Sequence, residues 1–103
     1  MSWNKDIKVI IMELKKEFTD EDVRLIHKGL GIKWDKFDLH QFRKGMNVEL
    51  EHGTKNAMTN VTDDDILITG KIALVHLKEF PDYYDRLEIL EKEAAQYWKQ
   101  NAY

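Results

Sequence analysis

From Trp3 to Phe18 the large apolar residues Trp3, Ile7, Ile10, Ile11, Leu14 and Phe18 recur at helical spacing, with Lys5, Lys8, Glu13, Lys15 and Lys16 on the remaining positions. The pattern predicts an amphipathic helix. Thr19 ahead of Asp20, Glu21 and Asp22 reads as an N-cap with an acidic first turn. A second, short helix is therefore expected from about Asp20 to Lys28, with Val23 and Ile26 inward and Gly29 and Gly31 at its exit. Ile32 to Phe37 reads as a connector with two aromatics, Trp34 and Phe37, expected to be buried. Asp38 is expected to cap a third helix that runs to about His52 and stops at Gly53. After a polar loop, Thr62 is expected to cap a fourth helix, with Asp63, Asp64 and Asp65 in its first turn and Phe80 at its end. Pro81 would open a fifth, where its missing N–H does no harm. There Tyr83, Leu87, Leu90, Ala94 and Tyr97 recur at alternating steps of four and three. Strand alternation and internal repeats are absent. The expected fold is all-α: one domain over residues 1–103, a small bundle of about five helices.

Composition narrows what such a bundle can do. The 103 residues suit one domain, and 43% hydrophobic content can build a core. The 16 basic residues against 19 acidic ones leave a net charge of −3, with an isoelectric point near 5.8. That balance argues against a sequence-independent grip on nucleic acid. With no cysteine, a disulfide framework and a thiolate metal site are excluded. Ser2 is the only serine, so Ser-His and Cys-His catalysis are excluded as well. The apolar runs Val9–Met12 and Ile72–Val75 are too short for a signal peptide or a membrane span, so a cytoplasmic location is expected.

Placing the third and fourth helices on a wheel picks out polar residues on the wrong face. In the third, His40, Arg43, Lys44, Asn47 and Glu51 form the wet side, and Leu39, Phe42, Met46 and Leu50 the apolar stripe. Glu49 lies opposite the wet side and His52 one turn on, so Glu49 is the carboxylate that needs a partner. In the fourth, Lys71 and Lys78 define a narrow wet face between two apolar stripes, one through Ile66, Gly70, Ala73, Leu77 and Phe80, the other through Ile68, Ile72 and Val75. Such a helix is expected in the middle of the domain, with His76 and Glu79 leaning inward.

The pairs Glu49-x-x-His52 and His76-x-x-Glu79 each place carboxylate and imidazole on one helical face. This chemistry suits a divalent metal such as Zn, Fe or Mn, with Glu49, His52, His76 and Glu79 as ligands. The further bridging carboxylates of a di-iron bundle are not evident. The competing reading is a structural polar cluster of satisfied ion pairs. Geometry weighs on that side, because a tight antiparallel hairpin of the two helices would hold the pairs apart. Asp63, Asp64 and Asp65 read as helix-start residues rather than a cation site, since no EF-hand spacing surrounds them. Trp34, Phe37, Phe42, Tyr83 and Tyr84 read as core rather than a stacking surface, with Tyr84 the exception to watch, because one helix stripe cannot bury both adjacent tyrosines.

The runs Gly45-Met46-Asn47-Val48-Glu49-Leu50-Glu51-His52-Gly53, Thr62-Asp63-Asp64-Asp65, Thr69-Gly70-Lys71-Ile72-Ala73-Leu74 and His76-Leu77-Lys78-Glu79-Phe80-Pro81-Asp82-Tyr83-Tyr84 occur in this order. In combination, over about residues 30–90, they resemble a family of small uncharacterised bacterial and phage-encoded proteins. The resemblance implies a fold and a pattern, without an activity. The expected function is a structural or interaction module with a Glu/His polar cluster that holds a divalent metal or stands without one. The alternative is a metal-assisted hydrolase or oxidase using the same residues. The stripe reaching Tyr97 and Trp98 is more apolar surface than a terminal helix of a small monomer needs, so a protein partner or a homodimer through the C-terminal helix is expected.

Overall fold

The structure, a computed structural model, describes residues 17–33 and 36–101. Four α-helices follow one another: α1 Asp20–Leu30, α2 Leu39–Glu49, α3 Ile66–Glu79 and α4 Tyr83–Gln100, with a 3-10 turn Leu50–His52 prolonging α2. The all-α expectation holds. The first expected helix lies outside the described residues apart from Glu17 and Phe18, and so does Trp34.

Local chemistry explains the boundaries. Thr19 caps α1 with a reciprocal box, its hydroxyl accepting from the Asp22 amide while the Asp22 carboxylate accepts from the Thr19 amide. Gly31 ends α1 in the left-handed conformation, φ 64°, which costs glycine nothing. Asp38 caps α2 by accepting from the Gln41 amide. The expected start of the fourth helix is corrected. Asp65, not Thr62, is the N-cap of α3, accepting from the Ile68 amide at 2.8 Å. Asp63 and Asp64 stand before the helix at φ 52° and 60°, a region that aspartate tolerates better than most residues. They tie up the loop: Asp64 accepts from the Thr54 amide and hydroxyl, and Asp63 exchanges hydrogen bonds with Asn60. Gly53 is not a left-handed helix stop, since its φ is −106°. A side chain there would run into the Asp64 carboxylate. Pro81 does not open α4 either. The chain turns through Pro81 and Asp82, and α4 starts at Tyr83.

The core gathers Val23 and Ile26 of α1, Ile32, Phe42 and Met46 of α2, Ala73 and Leu77 of α3, and Tyr84 of α4. Phe42 is wholly buried, so Phe42→Ala is expected to cost about 3–5 kcal/mol. The second apolar stripe of α3 is a correction. Ile68 and Val75 are exposed, as are Leu67 and Phe80, so α3 buries one side only. Its inner face carries Thr69, Gly70, Ala73 and Leu77, and the bare backbone at Gly70 lets Ile26 of α1 approach closely. The expected wet side of α2 is corrected too. Arg43 and Asn47 bind the Phe18 carbonyl, and Lys44 reaches across to Asp85 and Glu88 of α4. These half-buried polar residues fasten α2 to its neighbours.

Candidate functional site

Glu49 is the polar residue the fold buries most purposefully, with 4% of its surface exposed in the last turn of α2. A carboxylate removed from water has to be compensated by hydrogen bonds or charge. The Tyr84 hydroxyl supplies the direct bond, donating to Glu49 Oε1 at 2.7 Å. Two imidazoles stand farther off, His52 Nε2 at 3.6 Å from Oε2 and His76 Nε2 at 3.8 Å from Oε1. These are ion-pair separations rather than hydrogen bonds. Glu49 thereby faces α3, α4 and the turn after its own helix.

The placement of Tyr84 rests on a glycine. At Gly45, one turn before Glu49, an added Cβ would lie 2.7 Å from Tyr84 Cδ2 and closer still to Cε2. The bare backbone of α2 is the floor on which the ring lies, and this floor brings the hydroxyl to the carboxylate. Burial, reinforced by the hydrogen bond to Glu49, pushes the Tyr84 phenol well above its ordinary range. The hydroxyl therefore acts as a donor and keeps its proton.

His76 is held by aromatic rings. It stacks on Tyr83 with centroids 4.4 Å apart and planes 12° from parallel, and the Tyr84 ring meets it edge-on at 6.2 Å. Its Nδ1 is buried without a hydrogen-bond partner, and the Glu79 carboxylate is 3.7 Å away. Glu79 itself is more than half exposed, as is the His52 side chain.

The four residues singled out by the helical wheels thus form one chain of contacts, His52–Glu49–His76–Glu79, despite the expectation that a tight hairpin would hold the two pairs apart. A loop of thirteen residues, Gly53–Asp65, joins the helices. Its far end returns to the His52 carbonyl, which accepts from the Val61 and Thr62 amides. Met46 then meets the backbone at Gly70, and Glu49 meets His76. Gly45, and the burial of Tyr84 against it, are what the wheel reasoning missed. Their signal was a glycine on the buried side of a helix, a costly choice that marks close approach.

Among the described residues no group of three or more histidine, aspartate and glutamate side chains is arranged to hold a metal ion. His76 turns its two ring nitrogens toward different carboxylates, so one ion could not draw on Glu49, His76 and Glu79 together. Nor is any helix among the described residues long and apolar enough to cross a membrane.

The described residues thus form an all-helical domain with a buried carboxylate bonded by a tyrosine and flanked by two histidines. Residues 23–93 match the family described as a protein of unknown function, DUF5661, and the chain belongs to that family. The match spans α1 to the middle of α4, somewhat more than the 30–90 over which the sequence motifs run. No curated protein and no solved structure matches the chain.

Proposed function

We propose that this chain is a structural or interaction module whose rigid head is fastened at Glu49 and whose outer α4 is the contact arm. The observation that carries this reading is the buried Glu49 carboxylate, satisfied by Tyr84 and flanked by His52 and His76 from separate elements. A closed arrangement of this kind fixes helix geometry without needing a substrate. Its test is equilibrium unfolding of Glu49→Leu, with and without a chelator. The module reading expects a large loss of stability in the variant and the same melting temperature for the native chain with or without chelator.

A divalent ion (Zn, Fe or Mn) at Glu49, His52 and His76, with Glu79 outside them, is the second reading. The convergence of two imidazole Nε2 atoms on one carboxylate favours it. It requires about one ion per chain on elemental analysis of purified protein and a lower melting temperature after chelation. A metal-assisted hydrolase or oxidase would further need a substrate-sized opening at these residues. A cavity of about 350 Å³ lies instead against Leu30, Ile32, Phe37, Leu74 and Leu77.

A further inference from the structure

The exit of α1 leaves a hollow that the core does not fill. Gly31 turns the chain out of α1 in the left-handed conformation, and no atom lies within 4 Å of where its side chain would begin. Around this gap Leu30 and Ile32, Leu74 and Leu77 of α3, and Phe37 ahead of α2 line a cavity of about 350 Å³. That volume is at the lower end of small-molecule sites. Every charged residue in the lining is a lysine: Lys33, Lys36 and Lys78. Among the described residues none of these three ammoniums has an ion pair or a hydrogen bond, whereas Arg43, Lys44, Arg86 and Lys92 each hold a carboxylate. The chain carries −3 overall, so positive charge gathered at one apolar cavity is a local choice. Asp35 stands between Lys33 and Lys36 in the sequence, and the balance stays positive with it counted.

We infer that this cavity binds a small amphipathic acid, with its alkyl or aryl body on the leucines and Ile32 and its carboxylate among the lysines. The lining has no neutral polar side chain, so a polyhydroxyl body would leave its hydroxyls unpaired there. Phosphate heads favour an arginine fork or the free amides of a helix N-terminus, and neither lines the cavity. The helix end beside it is the C-terminus of α1, whose carbonyls are already occupied. His27 O accepts from the Ile32 amide and Lys28 O from the Gly31 amide. Lysine ammoniums are point charges on flexible stems that cover apolar surface and keep their heads in water. Lys33, Lys36 and Lys78 are exposed, so the carboxylate sits at the mouth and the body inside. For a ligand of about ten heavy atoms the expected Kd is about 0.1 mM. The lining shares no residue with the Glu49 joint, and the inference goes beyond the module reading.

Titration of the full chain with sodium octanoate below its micelle concentration, followed by amide chemical shifts, tests it. The expected result is one saturable site, with shifts centred on Gly31, Ile32, Leu74 and Leu77. Octan-1-ol and octylammonium keep the chain but lose or invert the head charge, and should bind at least about tenfold more weakly. Lys33→Glu and Lys78→Glu, both at exposed positions, are each expected to weaken octanoate about tenfold with the melting temperature unchanged. Added salt should weaken it as well, by screening. Octan-1-ol binding as tightly as octanoate would reveal a bare apolar hollow and overturn the acid. Shifts centred on the outer α4, or an affinity that neither lysine variant moves, overturn the site. Lysine-dependent binding to phosphatidylglycerol vesicles without saturable octanoate binding overturns the free acid in favour of a membrane surface. No saturation by about 10 mM octanoate, roughly a hundredfold above the expected Kd, overturns the inference outright. Each of these outcomes leaves the Glu49 joint to its own test.

Discussion

The root and the outer half of α4 carry the same apolar rhythm but differ in what covers it. At the root, Tyr84 is 1% exposed, lies on the backbone of Gly45 and donates to Glu49, while Lys44 grips Asp85 and Glu88. From Glu88 to Asn101 every described residue is exposed, and none of them belongs to the buried core cluster. A helix built throughout for its own core would stop near Leu90. The difference separates a joint, whose residues are chosen for fit and polar satisfaction, from an arm, whose residues are chosen for repetition. Substitutions along the helix should therefore fall steeply in cost from root to tip.

Within the joint between Gly45, Glu49 and Tyr84, the largest loss is expected at Gly45. Gly45→Ala puts a methyl group into the Tyr84 ring, and neither α2 nor the buried ring can retreat without opening the core. Urea unfolding should show a loss of about 3 kcal/mol, the upper range for overpacking, despite alanine's better helix propensity. A gain in stability would mean that the ring is not seated on this glycine, and the joint would dissolve as a concept. Next comes Tyr84→Phe, which keeps the packing and removes the hydroxyl. Glu49 then loses its direct donor at 2.7 Å, for an expected loss of about 2 kcal/mol. A neutral outcome would show that His52 and His76 satisfy the carboxylate on their own.

These two effects also mark how far the residues alone could be read. Helix existence, the caps at Thr19 and Asp38, and the inward placement of Glu49 follow from spacing and side-chain chemistry that act within a turn or two. The spacing cannot place Asp63 and Asp64, because an acidic first turn and an acidic loop look alike until the partners Thr54 and Asn60 are known. The second stripe of α3 was expected to be buried because periodicity tells which residues share a face, not how many neighbours a short chain can supply. Tyr84, the expected exception to the core, is instead its buried tyrosine, for a related reason. Two adjacent tyrosines lie 100° apart on a helix, and only the tertiary approach at Gly45 decides which of them is buried.

A smaller effect is expected at Lys44, on the outer side of the joint. Asp85, then Glu88, hold the Lys44 ammonium above its ordinary 10.5 through their hydrogen bonds. The same bonds hold Asp85 below 3.8 and Glu88 below 4.5. The carboxylate contribution is present above those ordinary values and is lost as pH falls through the lowered ones. The lysine contribution is present below 10.5 and is lost as pH rises through the raised value. Lys44→Met should therefore cost stability in a window from about pH 5 to 10 and converge with the native chain in acid. The Lys44–Asp85 pair is partly exposed, so its part of the loss is about 0.5 kcal/mol. A pH-independent loss would assign the role of Lys44 to its aliphatic stem.

The smallest effect, and the one that bears most on the comparison, is expected at the tip. Tyr97 is 56% exposed, and its ring contact is the neighbouring Trp98, at 4.9 Å between centroids. In dilute solution Tyr97→Ala should change unfolding stability by less than about 0.5 kcal/mol, as for a surface site away from any cap or core. If the partner of the arm is a second copy, the same substitution should cost more at high protein concentration, because a partner that binds only the folded chain adds to its stability by mass action. A cost that grows with protein concentration places the worth of Tyr97 outside its own chain. A cost in dilute solution as large as that of Tyr84→Phe would place it inside, and would make root and tip two parts of one joint.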